Sequence, residues 1–166
     1  CHALDALLFC MEGEVESVSS VATQSANATF QSYEYPTTTV NIIRFKDGRV
    51  GKVTSCIDCL QPYYFHTHLV GSEGSLFDNR LYSTQLGDLK KDHWSELNIP
   101  LVDSGNVGDH PYQKQFDAFF QALAEKRPMP LTSLQDASRT FEVLFACDRS
   151  ATDGGRTVKL DELRDS

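Results

Sequence analysis

The sequence predicts an α+β fold, in which a mostly antiparallel open β-sheet has helices packed on one face. Two β-rich segments, 37–46 and 49–60, are joined by the turn Asp47-Gly48, and further short turns follow at 71–74 and 78–79. Segments with helical spacing of apolar residues open and close the chain. Strands joined in order by short turns form a meander rather than a parallel repeat. With 166 residues and no linker-like stretch, the chain is expected to form a single domain over residues 1–166.

Composition and charge exclude several classes of function. The formal net charge of −8, without a cluster of Lys or Arg, argues against a nucleic-acid-binding surface. No apolar run approaches the about 18 residues that a membrane-spanning helix needs. The five cysteines, an odd and scattered set, indicate free thiols in a reducing compartment, and we expect a cytoplasmic location.

The first helix is predicted to begin at the start of the chain and to end at Gly13. Its apolar residues at helical spacing are Leu4, Leu7, Leu8 and Met11. His2, Asp5 and Phe9 then lie on nearly the opposite side, away from the core of this domain. Because no capping residue precedes the helix, we expect the chain to be part of a longer protein.

The next strand is predicted over 14–23, and the hairpin follows it. A two-residue turn at Asp47-Gly48 would pair Phe45 with Val50 and Ile42 with Val53. One face of this hairpin would carry Val40, Ile42, Val53, Ser55 and Ile57, and the other Thr39, Ile43, Phe45, Val50 and Thr54. Since neither face is uniformly polar, we expect helices on one face and a partner surface, in a homodimer or tetramer, on the other.

Later segments extend the meander and end in helices. Strands are predicted over 63–70, 75–78 and 80–84, with a possible edge strand over 158–160. One helix follows Pro111, with Asp109 as its cap and with an apolar stripe of Tyr112, Phe116, Phe119, Phe120 and Leu123. A second helix opens with the capping-box pattern Ser133 to Asp136 and runs to Gly154-Gly155.

Four groups of residues could carry chemistry. His2 can transfer a proton near neutral pH, with Asp5 one turn later holding its tautomer. His66 and His68 share one strand face and could ligate a metal, although a surface role is favoured and no metal is expected. Asp103, Asp109 and His110, in a turn-rich stretch, could line a substrate pocket, although capping and solvent exposure are favoured.

The fourth group is the Cys56-Ile57-Asp58-Cys59 motif. In an extended strand its two thiols would point to opposite faces, which disfavours both metal chelation and redox pairing.

Several motifs, in order, resemble the C-terminal domain of the Gfo/Idh/MocA oxidoreductases. Cys1-His2-Ala3-Leu4-Asp5 is similar to the family's G-x-H-x-x-D helix, and Gly13 to Val18 to the strand after it. The hairpin at Phe45 to Gly48 and the turn at Val70 to Leu76 follow in the family's order. The run from Asp136 to Val158 is similar to its last helix and strand.

The resemblance implies a substrate-binding and oligomerisation domain whose partner, a Rossmann domain, binds NAD or NADP. That domain and its catalytic lysine are expected outside this chain, which alone would be inactive and would hold no cofactor. His2 corresponds to the family's catalytic histidine and Asp5 to the aspartate of the motif. Hydride would pass between the nicotinamide C4 and a carbinol carbon of a sugar, cyclitol or related polyol, while His2 and the lysine relay the hydroxyl proton.

A non-catalytic binding or assembly module that uses the open sheet face is the alternative. A G-x-G-x-x-G segment and a lysine motif ahead of Cys1 in the full-length sequence would favour the enzyme.

Overall fold

The computed structural model describes residues 1–87, 92–99, 105, 108 and 110–164. Within this described part, the helices are α1 (His2–Met11), α2 (Tyr112–Ala124), α3 (Leu134–Thr152) and α4 (Asp161–Arg164). The strands are β1 (Val15–Thr23), β2 (Thr38–Phe45), β3 (Val50–Cys56), β4 (His68–Val70), β5 (Gly74–Phe77), β6 (Arg80–Ser83), β7 (Ser95–Glu96) and β8 (Val158–Lys159).

The chain divides into two compact units. The helix-bearing unit comprises Cys1–Cys59 and Tyr112–Ser166, and the meander unit comprises Leu60–Pro111. The first contains a sheet of strand order β3-β2-β1-β8, and the second a sheet of order β4-β5-β6-β7, both with antiparallel pairing. The predicted α+β class is confirmed, with the strands divided between two sheets. That residues 1–166 act as one domain stays a prediction.

The core of the helix-bearing unit lies between one face of its sheet and two helices. Val18 of β1 and Ile43 and Phe45 of β2 are almost fully buried there. α1 contributes Leu4, and the buried face of α3 consists of Thr140, Val143, Ala146, Cys147 and Ser150. Burying each large aliphatic side chain stabilises the fold by about 1.5–3 kcal/mol. This layer therefore fixes the positions of α1 and α3 on the sheet.

The hairpin register differs by one residue from the prediction. Arg44 pairs with Val50 and Ile42 with Lys52. Gly48 has a φ of 90°, and the turn is a three-residue loop closed by the Phe45 N–H donating to the Arg49 carbonyl oxygen at 2.9 Å. A left-handed third loop residue makes this bulged turn, for which glycine is suited.

The corrected register changes the two faces of the hairpin. Val53 now lies opposite Asn41, on the inner face, where it packs against the core. Val50 instead lies on the outer face, across from Arg44. Aliphatic residues are thus found on both faces of the hairpin, as expected, but Val50 and Val53 have exchanged faces.

Two predicted strands are shorter in the structure. β3 ends at Cys56 instead of residue 60, and β4 begins at His68 instead of residue 63. Ahead of β4, the Asp78 carboxylate accepts the Thr67 N–H at 2.9 Å and the His66 Nδ1 at 3.0 Å. Burial opposes ionisation of Asp78, but the hydrogen bonds from His66 and Thr67 prevail and lower its pKa. Hydrogen bonds to the Asp78 side chain, rather than strand pairing, therefore hold the segment ahead of β4.

Both long C-terminal helices form as predicted, but their aromatic residues face outward. Ser133 and Asp136 make the reciprocal capping box. The predicted stripe of α2 is exposed, and Phe141 and Phe145 of α3 also lie on its outer side. The proposed cap Asp109 lies outside the described residues.

Adjacent isoleucines of β2 provide a test of the core. Ile43→Ala removes a fully buried side chain, and we expect the free energy of unfolding to fall by about 2–5 kcal/mol. Ile42→Ala, on the outer face and 41% exposed, serves as the control and should cost much less. Urea denaturation measures both, and equal losses would contradict the placement of Ile43 on the inner face of the sheet.

Candidate functional site

α1 presents the predicted catalytic histidine to solvent. Leu4 is buried, while Leu7, Leu8 and Met11 pack against the core. His2, the first helical residue, is exposed, and its Nδ1 lies 3.9 Å from the Cys1 sulfur. The helical periodicity therefore placed the imidazole correctly on the side turned away from the core. Its catalytic role stays a prediction.

Asp5, one turn after His2, is held by α3. The Thr140 hydroxyl donates a hydrogen bond to Asp5 Oδ1 at 2.7 Å, across 135 residues of sequence. Thr140 is buried, whereas Asp5 is exposed. A buried donor that points at a carboxylate fixes the side chain more firmly than water would. The contact thus locks the motif-bearing helix to the last long helix.

Beside Asp5 lies a groove of about 980 Å³ within the helix-bearing unit. It is lined by Asp5 and Phe9 of α1, by Arg139 and Thr140 of α3, and by Lys46, which follows β2. Phe9 is 83% exposed and supplies a flat apolar surface at the rim. Such a combination of a ring and polar groups suits a hydroxyl-bearing molecule.

The groove has an excess of negative charge. The carboxylates that line it are Asp5, Glu12, Glu14, Glu16, Asp136, Glu142 and Asp161, and the cations are Lys46, Arg139 and Lys159. Lys46 Nζ lies 2.6 Å from a Glu14 carboxylate oxygen, so Lys46 forms an ion pair within the groove. Hydrogen bonds from Ser133 lower the pKa of Asp136, which keeps that carboxylate charged. The lining therefore does not fit the pyrophosphate of a dinucleotide.

The remaining predicted site residues are less informative. Asp103 and Asp109 lie outside the described residues. His110 is half-buried in the meander unit, and its substrate-binding role stays a prediction. His66 bonds to Asp78, and the His68 ring packs against Phe77.

Metal and membrane sites receive no support from the described residues. Among them, no group of three or more His, Cys, Asp or Glu is placed to hold a metal ion. None of the helices in this part of the chain is long and apolar enough to cross a bilayer.

The Cys56-x-x-Cys59 motif departs from the extended geometry that was expected. β3 ends at Cys56 and the chain bends through Ile57 and Asp58. The Cys59 thiol consequently turns back and donates a hydrogen bond to the Cys56 carbonyl oxygen at 3.3 Å. The extended strand through Cys59, on which the expectation of opposite faces rested, was therefore wrong. All five cysteines, each in a described segment, are free.

Comparison with known proteins supports the predicted resemblance to the Gfo/Idh/MocA oxidoreductases. Residues 1–77 match the family model described as the GFO/IDH/MocA C-terminal domain. The resemblance predicted from the sequence is confirmed. No curated protein matches the chain. The matched region contains α1 with its His2 and Asp5, and it extends through the bulged hairpin to β5.

Solved structures of dehydrogenases share the fold. A probable dehydrogenase from Thermotoga maritima has a TM-score of 0.72 and 21% identity, over 97% of this chain and 47% of that one. A putative myo-inositol dehydrogenase from Sinorhizobium meliloti has a TM-score of 0.71 and 17% identity, over 96% and 47%.

The WlbA dehydrogenase from Bordetella pertussis, in complex with NADH and UDP-GlcNAcA, has a TM-score of 0.65 and 20% identity, over 95% and 42%. The chain therefore spans less than half the length of each of these structures.

Thr140 is the site residue that the sequence did not reveal. It lies on the buried face of α3, where a polar residue among apolar neighbours is the only local signal. Its partner is Asp5, at the other end of the sequence. Since local patterns do not show which distant residues meet, only the folded structure identifies the pair.

A pair of substitutions tests this contact. Thr140→Val keeps the shape but removes the donor, and we expect it to cost about 1–2 kcal/mol of unfolding free energy. Thr140→Ser keeps the hydroxyl and should restore most of that. In a double-mutant cycle with Asp5→Asn, measured by urea denaturation, strictly additive losses would contradict the contact.

Proposed function

We propose that this chain is the substrate-binding and self-association domain of an NAD(P)-dependent oxidoreductase acting on a CH–OH group of a sugar, cyclitol or related polyol. The observation that carries the proposal is the exposed His2 on a helix whose other side is buried, within the part that matches the family. A solvent-facing imidazole on a rigid helix is well suited to proton transfer.

The residues of this chain would handle the proton. His2 would take the proton of the substrate hydroxyl during oxidation and return it during reduction. Asp5, fixed by Thr140, would orient the helix end that carries the imidazole. The neighbouring groove, with its carboxylates and the Phe9 ring, would contact hydroxyl groups and one apolar ring face.

The nicotinamide nucleotide would be bound elsewhere in the full-length protein. The groove beside Asp5 has seven carboxylates against three cations, a balance that disfavours phosphate groups. Hydride transfer is the chemistry that the nucleotide supplies when bound. We therefore place no step of cofactor binding on residues of this chain.

Replacement of His2 in the full-length protein tests the proposed role. We expect His2→Ala to lower kcat by roughly 10²–10⁴-fold, since it removes the proton-transfer group. NADH or NADPH formation, followed by absorbance over a panel of sugars and cyclitols that includes myo-inositol, measures the effect.

Cys10→Ser, an exposed change on the same helix, is the matched control and should leave the rate unchanged. An unaltered rate in His2→Ala would remove His2 from the mechanism. Absence of nicotinamide turnover with every substrate would favour the non-catalytic assembly module.

We further propose that the outer face of the helix-bearing unit's sheet mediates self-association. Val21, Val40, Ile42 and Val50 lie on that face with 38–68% of their surface exposed. Val21 and Val40 are directly paired across β1 and β2. A flat patch of β-branched residues is self-complementary about a two-fold axis, which suits a homodimer or tetramer.

A charge placed in this patch tests the association. Val40→Lys should raise the dissociation constant of the self-associated form at least tenfold, because a lysine must be desolvated at the centre of the patch. That rise corresponds to about 1.4 kcal/mol of association free energy. Sedimentation velocity measures the shift toward monomer. Leu134→Lys, at a position 85% exposed on α3, is the control, and equal behaviour of the two variants would refute the assignment.

A further inference from the structure

The bend after β3 is held in place at both of its central residues. The Ile57 N–H donates to the Thr37 carbonyl oxygen at 3.0 Å. The Asp58 carboxylate accepts a hydrogen bond from the Ser25 hydroxyl. The two partners, Ser25 and Thr37, lie at opposite ends of the segment between β1 and β2, so the bend is anchored at two points. The segment is thus a built turn with a cysteine at each end.

The two thiols of this turn have different hydrogen-bonding roles. Thr38 pairs with Cys56 across β2 and β3, and its hydroxyl donates to the Cys56 sulfur at 3.2 Å. The Cys59 thiol is itself a donor, to the Cys56 carbonyl oxygen at 3.3 Å. A donor aimed at sulfur stabilises negative charge there. Cys56 is therefore the sulfur that accepts a hydrogen bond, and Cys59 is the thiol that donates one.

The electrostatics of Cys59 agree with this assignment. Desolvation raises the pKa of the Cys59 thiol above its usual range, and the neighbouring Cys56 and Asp58 raise it further. Both cysteines are nevertheless exposed, so a small oxidant can reach them.

We propose that Cys56 and Cys59 form a reversible intramolecular disulfide when the protein meets a peroxide, with Cys56 as the attacking thiolate and Cys59 as the resolving thiol. The Cys56 thiolate attacks one peroxide oxygen, the O–O bond breaks, and a sulfenic acid and a hydroxide result. The hydroxide takes up from solvent the proton that the Cys56 thiol had released, which gives the first water. Cys59 then attacks the sulfenic sulfur, the S–O bond breaks, and a second water leaves. The two sulfurs lose two electrons in all, and the peroxide gains them.

The order of steps follows from the charges. Once Cys56 has become a neutral sulfenic acid, it no longer opposes ionisation of Cys59. Cys59 can then lose its proton and attack. The Thr37 and Ser25 contacts hold the turn while this occurs, so the disulfide closes within a segment that is already bent.

The other three cysteines are poor competitors. Cys1 precedes α1 and Cys10 lies within it. At the rise of a helix, nine positions along the chain separate their Cα atoms by about 13 Å, beyond the roughly 7 Å limit for a disulfide. Cys147 is buried in the core, and burial raises the pKa of its thiol. Of the five cysteines, we therefore expect Cys56 and Cys59 of the turn to form the disulfide.

Treatment of the protein with an equivalent of hydrogen peroxide tests the proposal. After alkylation with N-ethylmaleimide and digestion, we expect a peptide that contains both Cys56 and Cys59, unalkylated and lighter by two hydrogens. Cys1 and Cys10 should be alkylated, and dithiothreitol should restore alkylation at the turn. Alkylation of both turn cysteines after peroxide, or disulfides between chains instead, would overturn the proposal.

Single substitutions separate the two roles. Cys59→Ser should trap Cys56 as a sulfenic acid that reacts with dimedone, whereas Cys56→Ser should leave Cys59 open to alkylation. Thr38→Val should slow disulfide formation roughly fivefold through loss of one hydrogen bond, and Thr38→Ser should restore it. A dimedone adduct on Cys59 in Cys56→Ser, or an unchanged rate in Thr38→Val, would refute the assigned roles.

Discussion

Close contact between α3 and β1 is the constraint on which the rest of the helix-bearing unit depends. α3 faces the sheet with small side chains, and Ala146 and Ser150 are fully buried there. The Ser150 hydroxyl accepts the Ser20 N–H at 2.8 Å and donates to the Arg156 carbonyl oxygen at 2.6 Å. One buried oxygen thus joins a helix, a strand and the turn before β8. A larger residue at that position would overpack the layer and separate all three.

The position of α1, and with it His2, follows from this layer. α3 covers the inner face along β1, and α1 occupies the remaining inner surface beside β3. It can approach because β3 has Gly51 there, where a Cβ would come within 2.8 Å of Leu7. With Leu4 and Leu7 turned to the sheet, the imidazole must face outward. Gly51 of β3 therefore contributes to the exposure of His2 on α1.

Much of this arrangement could be predicted from the sequence, and the two failures have different causes. The periodicity of α1, the capping box of α3 and the antiparallel meander are local patterns, and they appear in the structure. The hairpin register failed because Asp47-Gly48 fits turns of two lengths, and a positive φ at Gly48 suits both. The hydrogen bond from the Phe45 N–H to the Arg49 carbonyl oxygen identifies the longer turn. The Asp5 contact with Thr140 was missed because it joins distant segments.

The distribution of apolar residues shows that one core does not account for all of them. Outside the core, the sheet exposes aliphatic β-branched residues, while α2 and α3 expose aromatic pairs one turn apart, Phe116 with Phe120 and Phe141 with Phe145. Flat aliphatic strands favour contact with an identical strand face, whereas rings on a helix favour pockets. The aliphatic face of the sheet and the aromatic pairs of the helices differ in shape and chemistry. Self-association through the sheet would leave those pairs exposed.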